Sequence, residues 1–137
     1  MIFVTPNFHF TGNCKQAIEL YKTAFGAEVK LLLCNSDANP QDWQSDADSD
    51  FVYHAELMIG NQRIMMSDTS AALPAGNLVS LVLTFETADE VKAAFEKVAD
   101  GCVIIEPMTS TTYSSCFVSL IDKFGMRWEL MTEQTEK

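Results

Sequence analysis

Positive charge is scarce in this chain: nine Lys and Arg stand against nineteen Asp and Glu, a formal charge of −10. Such a surface repels phosphate backbones and anionic lipid heads, so neither a nucleic acid nor a membrane is an expected partner. Long apolar runs are missing as well. The longest uncharged stretch, Thr69 to Phe85, is broken by Pro74, Gly76 and Asn77 and is too short to span a bilayer. The first basic residue is Lys15, so no charged export signal opens the sequence. Cys14, Cys34, Cys102 and Cys116 form no C-x-x-C pair and no metal-finger spacing. They read as reduced thiols filling core or surface, which points to the cytoplasm. P-loop, nucleophile-elbow and Ser/His/Asp patterns are absent, which leaves kinase and hydrolase readings without support. Asp46-x-Asp48-x-Asp50 suggests a calcium loop, but Phe51 stands where the sixth-position glycine belongs and Leu57 where the chelating glutamate belongs.

What is present is a core and a repeat. The residues are 47% apolar over 137 positions, enough for one folded domain. Asn13 with Gln16, and Thr87 with Glu90, have the N-cap and third-position pattern that opens a helix. Ala17, Ile18, Tyr21 and Phe25 then recur at helical spacing before Gly26; Val91, Ala94, Phe95 and Val98 do so before Gly101. Strands are expected before each cap (Ile2–Phe10, Leu78–Phe85) and after each glycine (Glu28–Cys34, Cys102–Glu106). A hairpin then follows in both halves: Phe51–Ile59 with Arg63–Ser67 across Gly60-Asn61, and Tyr113–Ile121 with Met126–Thr132 across Asp122–Gly125. The order is βαβββ twice, a duplication. It predicts an α+β fold, two tandem βαβββ modules forming a curled mixed sheet around a cavity. The domain spans residues 1–137, with module 1 over 1–67, a linker over 68–77 and module 2 over 78–137. Asn35–Asp50, containing Pro40 and Trp43, reads as a polar acidic loop.

Strand alternation selects candidate site residues. Phe8 and Phe10 face the helix and leave Asn7 and His9 on the other side. Phe51, Ala55, Leu57 and Ile59 share one face of the next hairpin strand; His54, Glu56 and Met58 share the other. A His–Glu pair suits proton abstraction, so His54 and Glu56 are the candidate catalytic residues. Tyr113, Phe117 and Trp128 are candidates to line a ligand cavity, and they serve equally well as core. The methionines, Met58, Met65, Met66 and Met126 among them, suit an adaptable pocket or a gap in the core.

Asn13-Cys14 after Phe8-His9-Phe10-Thr11-Gly12, Tyr21 through Phe25-Gly26-Ala27-Glu28, His54-Ala55-Glu56-Leu57, Met65-Met66-Ser67-Asp68, and Asp122-Lys123-Phe124-Gly125 before Trp128 run in order along the chain. In these landmarks the sequence resembles the PhnB-like branch of the glyoxalase/bleomycin-resistance/extradiol-dioxygenase (vicinal oxygen chelate) superfamily. The resemblance implies paired modules, usually a homodimer, and a divalent metal ion held by the first strand of each module and the last strand of the second. On that pattern Glu129 and His9 are the implied metal ligands, with Asn7 an alternative to His9. The second module's first strand offers only Ser80, so the ligand set is incomplete there. Branch members are often labelled methyltransferase-like, but the turn at Gly12 has no repeated glycines with which to cradle a nucleotide. Two functions stay open: a lyase, isomerase or dioxygenase-like enzyme acting on a small oxygen-rich substrate, and a protein that sequesters a small aromatic or cationic molecule. A third reading is a dimeric scaffold whose cavity is vestigial.

Overall fold

The computed structural model describes residues 1–37, 50–71, 73–74 and 76–133. The acidic positions Asp46 and Asp48, with Pro40 and Trp43, lie outside them. The chain divides into two compact modules, Met1–Leu73 and Pro74–Lys137.

In the first module β1 (Asn7–Phe10), α1 (Cys14–Phe25), β2 (Glu28–Cys34), β3 (Val52–Ile59) and β4 (Gln62–Asp68) follow in order. The sheet order is β1-β4-β3-β2, with β1 parallel to β4 and the other pairs antiparallel. The second module repeats this with β5 (Leu81–Phe85), α2 (Ala88–Val98), β6 (Val103–Thr109), β7 (Phe117–Ile121) and β8 (Arg127–Thr132) in the order β5-β8-β7-β6. The fold is therefore α+β, two βαβββ modules each carrying a four-stranded mixed sheet. The duplication extends to register: Phe10 lies opposite Asp68, and Phe85 opposite Thr132.

Each helix forms because its apolar residues fall on one stripe. In α1 these are Cys14, Ala17, Ile18, Tyr21 and Ala24, all buried. Tyr21 packs edge-to-face against Phe8 of β1 at 6.4 Å between ring centroids, fixing the helix on the sheet. Gly26 ends α1 in the left-handed conformation, at φ 67°, with its own N–H on the Lys22 carbonyl and that of Ala27 on the Tyr21 carbonyl. In α2 the buried stripe is Val91, Ala94 and Val98. The helix stops at the Ala99 cap, two residues before Gly101. Gly101 serves a different need, since a Cβ there would sit 2.9 Å from the Cβ of Lys123 and at φ 73°.

The strand limits differ from the sequence expectations for local reasons. The first strand was expected from Ile2 but pairs only from Asn7, because Pro6 has no N–H to give and offers only its carbonyl, to the Met65 N–H at 2.9 Å. β5 starts at Leu81, not Leu78, and its first pair is with Trp128, one residue into β8. β6 runs on to Thr109 and carries Pro107 on the sheet edge, where the register shifts on both sides of Glu106 absorb the missing donor. β7 begins at Phe117; the Ser114 and Ser115 hydroxyls before it turn onto Thr132. No helix among the described residues is long and apolar enough to cross a membrane.

Candidate functional site

The first sheet has one face against α1 and one face open. On β1 the buried residues are Phe8 and Phe10, while Asn7 and His9 are exposed, as alternation requires. On β3, Ala55, Leu57 and Ile59 are buried and His54, Glu56 and Met58 are half-buried on the opposite side. Register then aligns the open face into rows. His9 lies opposite Ser67, and continuing the Ala55–Met66 pairing by one residue puts His54 opposite Ser67 from the other side. The two histidines thus occupy one row of one face, with Ser67 between them; the Ser67 Oγ is 3.4 Å from His9 Nδ1.

His54 Nε2 is 2.8 Å from Glu56 Oε2. The other carboxylate oxygen accepts from Arg63, whose Nε is 3.1 Å and Nη2 2.7 Å from Oε1. The hydrogen bond from His54, and after it the guanidinium of Arg63, hold the Glu56 carboxyl below the ordinary carboxylate range. An ionised carboxylate only accepts, so His54 donates from Nε2, and a neutral ring then carries its lone pair on Nδ1. The side chains of His54, Glu56 and Arg63 are 33%, 23% and 46% exposed, so solutes reach the group. Sequence reasoning named His54 and Glu56 as candidates but did not name Arg63. The signal was there: the Gly60-Asn61 turn pairs Met58 with Arg63, which puts Arg63 on the Glu56 face, one diagonal step away.

In the second module, Glu129 of β8 lies on the face away from α2, with Val82 and Ser119 as its cross-strand neighbours. Ser80 precedes the strand, yet its hydroxyl donates to Glu129 Oε2 at 3.2 Å. Arg127 Nη2 stands 3.8 Å from the same oxygen, and its Nη1 donates to the Asn77 carbonyl at 2.8 Å. Phe117 and Tyr113 come together edge-to-face at 5.9 Å. Phe117 shares the parity of Glu129; Trp128 does not. Trp128 is fully buried on the helix-facing side, its indole N–H donating to Asp122 Oδ2 at 2.9 Å. The structure therefore places Trp128 in the core, apart from the other two aromatic candidates.

The implied metal ligands can be tested against these donors. Among the described residues no three His, Cys, Asp or Glu side chains gather closely enough to hold a metal ion. Glu129 is already engaged by a hydroxyl and faces a guanidinium, and His9 has a serine hydroxyl beside it. A divalent ion wants several anionic or imidazole donors and no adjacent cation. The donors present in each module do not fit one. The start of α1 is likewise occupied. Asp68 Oδ1 accepts the N–H groups of Gly12 at 2.9 Å and Cys14 at 3.0 Å, so the helix end that would receive a phosphate holds an internal carboxylate. All four cysteines are free thiols. Burial foremost, with Asp68 beside it, pushes the Cys14 thiol up to about 12; burial also raises Cys34 and Cys102. None is poised as a nucleophile.

A family model described as 3-demethylubiquinone-9 3-methyltransferase matches residues 3–131. Protein YjdN of Escherichia coli (strain K12) is 30% identical, over 91% of this chain and 91% of its own. The structure of a PhnB protein from Bacillus cereus, described as a putative 3-demethylubiquinone-9 3-methyltransferase, superposes with a TM-score of 0.81 at 25% identity, over 96% of this chain and 99% of that one. The fold alone is shared with the fosfomycin resistance protein FosX of Listeria monocytogenes, at TM-score 0.68 and 12% identity over 98% and 95% of the two chains. With its duplicated βαβββ modules and a match along nearly its whole length, the chain belongs to the PhnB-like family that the family model describes, and it carries the glyoxalase-like fold.

Proposed function

We propose that this protein takes up a small molecule and moves a proton on it, with His54 as the base on the open face of the first module. Glu56 fixes the His54 ring by accepting from Nε2, which turns Nδ1 outward as the proton acceptor. Arg63 is a positioning residue that keeps Glu56 ionised and directed at the imidazole. The observation that carries this reading is the 2.8 Å contact between His54 Nε2 and Glu56 Oε2, with Arg63 closing on the other carboxylate oxygen. His9 and Ser67, in the row beside His54, supply hydrogen bonds to a polar substrate. Methyl transfer is not part of this proposal, because the β1–α1 turn is filled by Asp68. The test is hydrogen exchange in D₂O on a panel of small ketones and hydroxyketones, followed by NMR. Protein-dependent exchange should fall about 100-fold or more in His54→Gln and in Glu56→Gln. Exchange equal in wild type and His54→Gln, or absent across the panel, would sink the reading.

The protein is proposed to work in the cytoplasm as a pair of identical chains. Met1, Ile2, Phe3 and Val4 are each more than four-fifths exposed, apolar surface of the kind a second copy covers. Sedimentation at the mass of one 15.2 kDa chain would refute the pairing.

A further inference from the structure

β2 is an edge strand of the first sheet, and it meets the candidate site directly. Leu33 is the cross-strand partner of His54, and Leu31 that of Glu56, so both leucines stand on the open face with the base and its carboxylate. Leu32 between them pairs with Ala55 and turns to the face that α1 covers. Leu31 is 39% exposed and Leu33 half-buried, so a solute that reaches His54 also reaches them.

The open face is therefore polar on one side of His54 and apolar on the other. From β1 through β4 and β3 to β2 its row reads His9, Ser67, His54, Leu33. Ser67 and His9 carry hydrogen-bonding groups, whereas Leu33, with Leu31 two residues along β2, offers hydrocarbon alone. Adjacent strands lie about 4.8 Å apart, so Ser67 and Leu33 bracket the imidazole across about 10 Å. A three-carbon hydroxyketone is too short to touch both; one that carries a phenyl ring on its carbonyl is long enough. Charge on this face is matched. An anion is repelled by the chain's formal −10 and finds the Arg63 guanidinium already held by Glu56, 2.7 Å away. A cation finds Glu56 already held by Arg63 and His54. The complement is neutral.

We propose that Leu31 and Leu33 set the specificity of this face, and that its substrate is a neutral α-hydroxyketone with an apolar group the size of a phenyl ring on the carbonyl carbon. The oxygens lie towards Ser67 and His9, the hydroxyl-bearing carbon lies at His54 Nδ1, and the apolar group lies across Leu33 and Leu31. The C–H bond breaks with its electron pair left on the enediolate, Nδ1 takes the proton, and in D₂O a deuteron returns to the same carbon. The inference rests on the proton-transfer reading of His54 and adds to it the class of molecule.

The probes are 2-hydroxyacetophenone and hydroxyacetone, which share the reacting group and differ in phenyl against methyl. Each is titrated into isotopically labelled full-length protein for affinity, and followed in D₂O for exchange at the hydroxyl-bearing carbon. 2-Hydroxyacetophenone should bind about tenfold more tightly, the factor that covering about 50 Å² more apolar surface is worth. Its saturable shifts should include the backbone amides of Leu31 and Leu33. Leu33→Ser and Leu31→Ser should each cut the preference by about threefold or more, whereas Leu32→Ala, on the opposite face, should leave it intact. Spectra establish that each variant is folded; should one serine variant unfold, the other decides. A preference without exchange would sink the proton-transfer reading and leave the ligand class standing. Exchange with equal affinity for the two probes, or a preference that neither serine variant reduces, would overturn the inference. So would the lack of saturable 2-hydroxyacetophenone binding at millimolar concentrations, which would leave the two leucines as surface for a second chain.

Discussion

Asp68, the last residue of β4, caps the first helix from across the module: its Oδ1 accepts the N–H of Cys14, the opening residue of α1, at 3.0 Å. The same oxygen takes the Gly12 N–H, and Oδ2 takes that of Val52 at 3.0 Å. One carboxylate thus ties the β1–α1 turn, the helix start and the first residue of β3 to the end of β4. Asn13, which the sequence marks as the cap, makes no side-chain capping bond. In the second module the expected device is present, with Thr87 accepting from the Glu90 N–H at 3.2 Å and Glu90 returning to the Thr87 N–H at 3.1 Å.

Asp68→Ala should therefore destabilise the protein by about 3 kcal/mol, since buried N–H groups lose their acceptor. Asn13→Ala should cost close to nothing, and Thr87→Ala about 1 kcal/mol. Urea denaturation of the three variants checks the order. A costly Asn13→Ala with a silent Asp68→Ala would contradict the cap supplied by β4.

Acid should weaken the His54–Glu56–Arg63 group in a defined direction. The folded-state pKa of Glu56 lies below its ordinary value, so its contribution to stability is present above that ordinary value and is lost as pH falls through the folded one. Comparing melting temperatures of wild type and Glu56→Gln, the wild-type advantage should shrink as pH drops below the carboxylate range. An advantage that holds or grows in acid would show that Glu56 is not paired as described.

The thiols should be inert in the native protein. Cys14, raised to about 12, is almost wholly protonated at neutral pH, and burial shields Cys34 and Cys116 as well. A disulfide reagent at pH 8 should react slowly, and first at Cys102, which is part-exposed. All four should react at once in denaturant. Rapid native labelling of Cys14 would refute the description of the helix start.

Titration with Ni²⁺, Mn²⁺ or Zn²⁺ should show no stoichiometric tight uptake, because Glu129 is engaged by Ser80 and faces Arg127. Glu129→Ala should leave the result unchanged. Tight binding of one ion per chain that Glu129→Ala abolishes would reinstate Glu129 as a metal ligand.

Much of the fold was legible because short-range rules govern it. Helical stripes at Ala17-Ile18-Tyr21 and Val91-Ala94-Val98 need only a period of 3.6, and alternation put His54 and Glu56 on one face without any tertiary knowledge. The limits of strands were less legible, since they depend on which backbone groups find a partner: β1 pairs only from Asn7, after Pro6, and β5 only from Leu81. Trp128 and Glu129 are neighbours in sequence and so lie on opposite faces of β8; the sequence could have separated them by that rule alone.

The amino-acid order by itself determined the duplicated strand and helix pattern, the side of each strand that carries polar groups, and the family. These follow from local periodicity and from landmarks spread along one chain. Only the tertiary structure decided which groups meet: Asp68 at the start of α1, Arg63 on Glu56, and Ser80 on Glu129. Such pairings depend on register between strands and on packing between elements distant in sequence, where a shift of one residue turns a side chain to the other face.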